Sequence, residues 1–319
     1  MASELSVAVV IPSWNSAGLL PRCLDSLAGQ GAELETIVVD NGSRDGSLEL
    51  LRERGVPHVS LPENVGFAAA VNLGAARTTA PMILLLNADT ELEPGCVGAL
   101  AEALAGERGL GGVQPRILQL EPGTGGTVDR ARLYSRGMAL SADGRAFEEG
   151  AGEAQDARSA ERREIFGVCG AACLLRRDLF ERLGGFDERY FAFYEDVDLN
   201  VRARIAGWRF AYVPEAVVWH VGNATWSAEF SRPGAENARL VARNRLATQA
   251  KFVPARALPR ILAVEAGSLA RAARQRRLGA TLRGKLAGLR WLPELLRERR
   301  RLRREGDLGL AQRWLGVRG

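Results

Sequence analysis

The sequence predicts an α/β fold built on a mostly parallel central sheet, followed by a helical C-terminal extension. Three observations lead there. Strand and helix signals alternate regularly through the first third of the 319 residues. The strands are continuous apolar runs of the kind buried on both faces. Polar residues cluster where those strands end, and in open α/β sheets ligands sit at the carboxyl ends of the strands.

Residues 6–13, SVAVVIPS, are rich in Val and Ile and read as the first strand. SAGLLPRCLDSLAGQG reads as a helix, with Ser16 as N-cap, Pro21 confined to the first turn and Gly31 near the stop. ETIVVDN is a second strand, RDGSLELLRERG a helix, HVSLP a short third strand, GFAAAVNLGAARTT an Ala-rich helix and MILLLNAD the fourth strand. Such alternation implies parallel pairing through right-handed crossovers. From about residue 120 to 163 the pattern dissolves into Gly, Glu, Arg and Asp, with a hairpin expected around SADGRAF. RDLFERLGG then reads as a helix ending in Gly, EDVDLNVRARIAGW as a helix opening with three acids, and RFAYVPEAVVWH as one or two strands. Beyond Trp226 the chain turns Arg/Ala/Leu-rich and helical. The division expected is an α/β body, residues 1–228, and a basic extension, residues 229–319.

An apolar content of 46% and a charged content of 25% are those of a globular chain able to bury a sizeable core. No apolar stretch approaches the ~18 residues of a membrane span. The N-terminal run MASELSVAVVIP lacks a basic leader, so a cytoplasmic protein is expected. The four cysteines are scattered, and CGAAC has neither redox nor zinc spacing, so reduced thiols are expected. The net charge of +5 conceals an asymmetry: residues 251–319 hold 18 Lys+Arg against 5 Asp+Glu, and the remainder 25 against 33. A basic tail on a mildly acidic body suggests an anionic partner.

Five constellations could carry chemistry. In ILLLNADTEL, residues 83–92, a buried strand runs into Asn87, Asp89 and Glu91. A carboxylate there can hold a hard divalent cation whose open positions go to phosphate oxygens; it can equally cap the helix that follows. In VVDNGSRDGS, Asp40 can accept the N3–H of a pyrimidine, or the stretch is a plain Asn-Gly turn. In ENVGFAAAVNLG, Asn64 and Gly66 precede a helix of small residues. That helix suits close approach of a phosphate to its N-terminus, or close packing on the sheet. In FYEDVDLNVRAR, Glu195, Asp196 and Asp198 crowd one helix start, more acids than a cap needs. Crowded like charges raise a pKa, which suits a general base. The i, i+3 spacing puts Glu195 and Asp198 on one face and turns Asp196 elsewhere. His220, one of two histidines, ends a strand as a metal ligand or a packed imidazole.

Taken in order, these residues resemble glycosyltransferase family 2, the inverting GT-A-fold sugar transferases, most closely the branch of rhamnosyltransferases of bacterial surface polysaccharides. VAVVIPSWN, IVVDNGSRDGS, ENVGFAAAVNLG, LLLNADTELEPG, GAACLLRRDLFERLGGFDERYFAFYEDVDLNVRARIAGW and VVWHVGN carry the likeness, over about residues 5–225. The resemblance implies a nucleotide-diphospho-sugar transferase fold for residues 1–228. It implies a UDP- or dTDP-sugar donor bound by Pro12, Ser13, Asn15, Asp40, Asn41, Asn64, Gly66, Phe67, Asn72 and Asn87. It makes Asp196 the catalytic base with Glu195 and Asp198 as supporting acids. Asp89 stands at the last acid of the family's D-x-D metal motif, with Asn87 at the first, and His220 helps hold the metal. The cofactor implied is Mg²⁺ or Mn²⁺. The acceptor implied is a glycan or lipid-linked glycan for cell-surface polysaccharide. The Arg-rich tail would then rest on the anionic inner face of the cytoplasmic membrane, as a peripheral protein, or pack as a solvated bundle on the catalytic body.

Two other classes compete. A nucleotidyltransferase would need a Gly-rich basic loop for a triphosphate, which PSWNSAGLL does not offer. A nucleic-acid binder using the tail would need aromatic interleaving, and the acids at the strand ends would repel phosphate; no nucleic-acid partner is expected.

Overall fold

The computed structural model describes residues 5–120, 131–222 and 234–316. The first elements are β1 (Ser6–Ser13), α1 (Leu20–Asp25), β2 (Glu33–Asp40), α2 (Ser47–Glu53), β3 (His58–Ser60), α3 (Phe67–Ala75) and β4 (Met82–Leu86). There follow β5 (Thr90–Leu92), α4 (Cys96–Ala105), β6 (Leu110–Gln119), β7 (Leu133–Ser135), β8 (Met138–Leu140), β9 (Ala146–Glu148) and β10 (Arg163–Ile165). The body continues with β11 (Ala172–Arg176), α5 (Arg177–Arg182), α6 (Glu195–Ile205) and β12 (Arg209–His220). Four helices complete the chain: α7 (Ala235–Phe252), α8 (Leu258–Arg274), α9 (Leu278–Glu305) and α10 (Leu308–Gln312).

The main sheet runs β10-β12-β6-β11-β4-β1-β2-β3, with β5 added to β12 and β7 to β6. Pairings β1–β2, β1–β4, β2–β3 and β6–β12 are parallel, and β11 runs antiparallel between β4 and β6. Alternation along β1 shows why its sequence is apolar throughout: Val7, Val9 and Ile11 enter one core and Val10 the other. The helix of small residues, α3, lies against β1 and β2, with Gly74 seated on Val10 and Val39. The close-packing reading of ENVGFAAAVNLG therefore holds for its last turn. The hairpin expected at SADGRAF is β8–β9, closed by Gly144 at φ +80°.

Two local expectations are corrected and one open alternative is decided. Ser16 caps no helix: its carbonyl takes the Leu19 and Leu20 N–H groups, and α1 starts later with Pro21 in its first turn. RFAYVPEAVVWH is one strand, with an irregularity between Val213 and Val217 where Pro214 interrupts the ladder. Glu195 and Asp198 part company, as described below. The expected boundary at 228/229 and Trp226 lie outside the described residues. No helix among the described residues is long and apolar enough to cross a membrane.

Candidate active site

Parallel register brings the strand ends together. Ser13 stands opposite Asp40, and β4, paired with β1 up to Val10 and Leu85, ends one residue before Asn87. A cleft of about 460 Å³ opens at this edge. Ten of the residues singled out from sequence line it: Pro12, Ser13, Asn41, Asn64, Phe67, Asn87, Asp89, Glu195, Asp196 and His220. Asp40 is buried beside them. Its Oδ2 accepts the Ser43 N–H at 3.3 Å, while its Oδ1 and the Ser13 hydroxyl have no partner among the described residues. Buried polar atoms are almost always paired, so both remain free to bond a molecule in the cleft.

Asp89 caps no helix. β5 intervenes, and α4 begins at Cys96 behind Gly95. Instead the antiparallel pairing of β5 with β12 sets His220 opposite Thr90, and the Asp89 carbonyl accepts the Val221 N–H. His220 Nε2 then lies 3.1 Å from Asp89 Oδ1 and 3.3 Å from Asn87 Nδ2. Tyr134 packs edge-on against the imidazole, with centroids 4.4 Å apart. Glu91 points away and pairs with Arg22 at 3.0 Å.

The acids of α6 divide. Glu195 and Asp196 face the cleft. Asp196 accepts the Gly170 N–H at 3.0 Å and the Val197 N–H at 2.7 Å. Burial raises its carboxyl above the usual range. Burial, then the charge of Asp196, raises Glu195 well above it, and Glu195 Oε2 has no partner among the described residues. Asp198 turns under the helix and is fully buried against Lys251, Arg202 and the Tyr190 hydroxyl. It is a structural anion and not a cleft acid.

Sequence reasoning missed a fourth cleft carboxylate. Glu148, at the end of β9, accepts the Ser135 hydroxyl at 2.6 Å, and burial together with Asp196 pushes it up to about 7. It also missed the stretch 190–194, whose residues Phe191, Phe193 and Tyr194 hold φ of +66°, +68° and +72°. Such values cost bulky residues energy and persist only where the surroundings enforce them. Asn244 of α7, fully buried, enforces them here by donating to the carbonyls of Tyr190 (2.8 Å), Ala192 (2.9 Å) and Phe193 (2.6 Å). Arg243 shares the Tyr190 carbonyl. Asn244→Ala would take a donor from all three carbonyls and release the strained backbone, and a loss of about 2–4 kcal/mol is expected. Thermal denaturation would register it as a fall of roughly 3–6 °C.

Other expected residues lie outside the cleft lining. Asn72 bonds the Phe186 backbone on both sides and reaches Glu188. Asn15, at φ +51°, accepts the Arg44 N–H and donates its own N–H to Ser43. Gly66, at φ +95°, leaves the space where a Cβ would strike Phe191. Asn41 does line the cleft, but its side chain knits Asn64, Val65 and Gly66 together. The four cysteines are free and buried.

The family model for glycosyl transferase family 2 matches residues 8–184. The N-acetylglucosaminyl-diphospho-decaprenol L-rhamnosyltransferase of Mycobacterium tuberculosis (strain ATCC 25618 / H37Rv) is 29% identical over 234 residues, covering 66% of this chain and 75% of its own. The 4,4'-diaponeurosporenoate glycosyltransferase of Staphylococcus haemolyticus is 33% identical over 126 residues, 37% of this chain and 34% of its own. Among solved structures, GalNAc-T7 with UDP, GalNAc and Mn²⁺ has a TM-score of 0.59 at 18% identity, covering 78% of this chain. This chain spans about half, 48%, of that one. The mannosyltransferase PcManGT of Pyrobaculum calidifontis, in complex with GDP-Man and Mn²⁺, has a TM-score of 0.50 at 19% identity, covering 97% of this chain and 87% of its own. The mixed sheet described above is thus of the GT-A type.

Proposed function

Since the chain belongs to glycosyl transferase family 2, we propose that it moves a sugar, rhamnose foremost, from a UDP- or dTDP-linked donor to a lipid-linked glycan during cell-envelope polysaccharide synthesis. One observation carries this reading: an oxygen–nitrogen pair fit for a cation, Asp89 and His220, and a raised carboxyl fit for a base, Asp196, line the same cleft. The rhamnosyl acceptor follows the printed activity of the mycobacterial relative. A lipid-linked acceptor would bring the protein to the inner face of the membrane as a peripheral protein.

The donor set at Asp89 and His220 fits Mg²⁺ or Mn²⁺. Among the described residues no third His, Cys, Asp or Glu joins them, which leaves positions for phosphate oxygens and water, as these ions require beside nucleotides. When bound, the cation would neutralise charge on the departing diphosphate. Asp40 and Ser13 offer the orphaned acceptor and hydroxyl for the base. Asp196 would take the proton of the acceptor hydroxyl as that oxygen bonds to the anomeric carbon. The bond from that carbon to the diphosphate breaks on the opposite side, so the configuration inverts.

A panel of UDP-, dTDP- and GDP-sugars with Mg²⁺ or Mn²⁺, read by thermal shift and donor hydrolysis, tests this. At least one UDP- or dTDP-sugar should stabilise the protein in a metal-dependent way, and silence across the panel would refute the proposal. Asp89→Ala should weaken metal-dependent donor binding by about 10–100-fold while leaving the melting temperature without donor nearly unchanged.

A further inference from the structure

Of the nine large apolar residues exposed among the described residues, seven lie on α8 and α9. Five of them, Leu278, Leu282, Leu286, Leu289 and Leu296, follow the spacing 4, 4, 3, 7 along α9. At 3.6 residues per turn they fall within an arc of about 80°. They are 37–59% exposed. The helix packs through a different face: Gly284 and Gly288 seat its backbone on that of α7 at Arg239 and Arg243, and Leu295 and Leu302 are buried. That face is centred roughly 130° around the helix from the leucines. The helix is therefore apolar on two sides, and only one has a partner among the described residues.

Charge is distributed to match. Arg283, Arg290 and Arg297 are exposed and run along one flank of the leucine stripe, while Glu298 is turned inward to Lys251 and Arg189. α8 adds Leu258 and Leu262, exposed one turn apart, with Arg256 and Arg260 exposed beside them. Glu265 of α8 is likewise turned inward, to Arg245 and Lys285, while Glu294 and Glu305 stay exposed on α9. A leucine stripe edged by guanidinium groups is the pattern of a helix lying in the plane of a bilayer interface. There the leucines enter the acyl boundary and the arginines extend to the phosphates.

We infer that the leucine face of α9, extended by α8, is a docking surface for an anionic lipid membrane, with Leu282, Leu286 and Leu289 at its centre. This goes beyond the sugar-transfer reading: it names the residues that touch lipid, and it concerns a surface separated from the cleft by α7. It would hold the acceptor's membrane beside the enzyme without a membrane-crossing helix.

The test uses the full chain with no donor, metal or acceptor present, so a failure of the transferase reading would not affect it. Flotation is measured with vesicles of equal parts phosphatidylglycerol and phosphatidylcholine, and with phosphatidylcholine alone, at low and high salt. The wild type should bind the anionic vesicles, more weakly in high salt, and should prefer them over neutral ones. The variant L282Q/L286Q/L289Q should bind about a hundredfold more weakly, with an unchanged thermal melt because none of the three side chains is in the core. The inference falls if the wild type ignores anionic vesicles, if it binds neutral ones equally well, or if the triple variant binds like the wild type. It falls also if sedimentation shows a wild-type dimer that the variant dissociates, since the leucines would then join two copies of this chain.

Discussion

Asp196→Asn should reduce sugar transfer by about a thousandfold while leaving donor binding near the wild-type level. The size follows from the role: a positioned general base contributes roughly 10²–10⁴-fold. Its selectivity follows from the geometry. An asparagine oxygen can still accept the Gly170 or Val197 N–H that holds the side chain in place, but an amide takes no proton from a hydroxyl. Asp40 and Asp89, proposed to hold the donor, lie at strand ends away from this helix and are untouched. Folding should not suffer, because a buried charge that raises Glu195 is removed. The measurements are single-turnover transfer and a metal-dependent thermal shift with donor. Loss of both together, or of the shift alone, would mean that Asp196 serves the donor and not the acceptor.

The same residue sets a pH dependence. Burial raises the Asp196 carboxyl, so it stays protonated to a higher pH than an ordinary aspartate and is a competent base only above its raised value. Wild-type kcat/KM should therefore fall as pH drops through a range above the ordinary aspartate value of about 4. Burial and the negative charge of Asp196 act together to raise Glu195 well above the usual carboxylate range. Glu148, pushed up to about 7, adds a third raised carboxyl to the cleft, and Asp196→Asn should let it ionise at lower pH by removing one of the two causes that raise it.

Strand ends were legible in the sequence because burial on both faces makes a parallel strand apolar throughout, so a polar residue marks its end. Asn87, Asp89 and His220 stand out for that reason, and Ser13 and Asp40 with them. The direction of a side chain at a helix start was not legible. Helical spacing assigns Glu195 and Asp198 to one face, but the cleft wraps the first turn of α6, whose entry is set by the left-handed residues at 191–194. N1 and N2 both face the cleft, and N4 turns underneath. Partners distant in sequence were invisible too: nothing near Asp198 announces Lys251, 53 residues on. Glu148 was hidden among neighbours of its own kind, since Glu149 and Glu153 spend their charges on Arg136 and only contact distinguishes them.

Lys251→Met is expected to cost about 3–5 kcal/mol, the scale for removing one partner of a buried ion pair. That corresponds to a fall of roughly 4–7 °C in melting temperature for a chain of this size. Lys251 is 2% exposed, and its ammonium sits among three carboxylates: Asp198 of α6, Asp187 at 3.3 Å and Glu298 of α9 at 3.3 Å. Methionine keeps the volume against Tyr190 and Phe252 but strands the anions, with Arg202 and Arg189 as their remaining cations. Adding Asp198→Asn removes the most deeply buried of these charges, so the double variant should be more stable than Lys251→Met alone, and the shortfall from additivity measures the pair. Acid titration gives an independent readout. Burial would raise the Asp187 carboxyl, but Arg189 and Lys251 outweigh it and hold it down at about 2, from an ordinary 3.8. Its contribution to stability is complete above the ordinary value and is lost as pH falls towards the lowered one. In Lys251→Met that slope should become shallower. An unchanged melt and an unchanged acid slope would show that the network does not join α6, α7 and α9 as its contacts indicate.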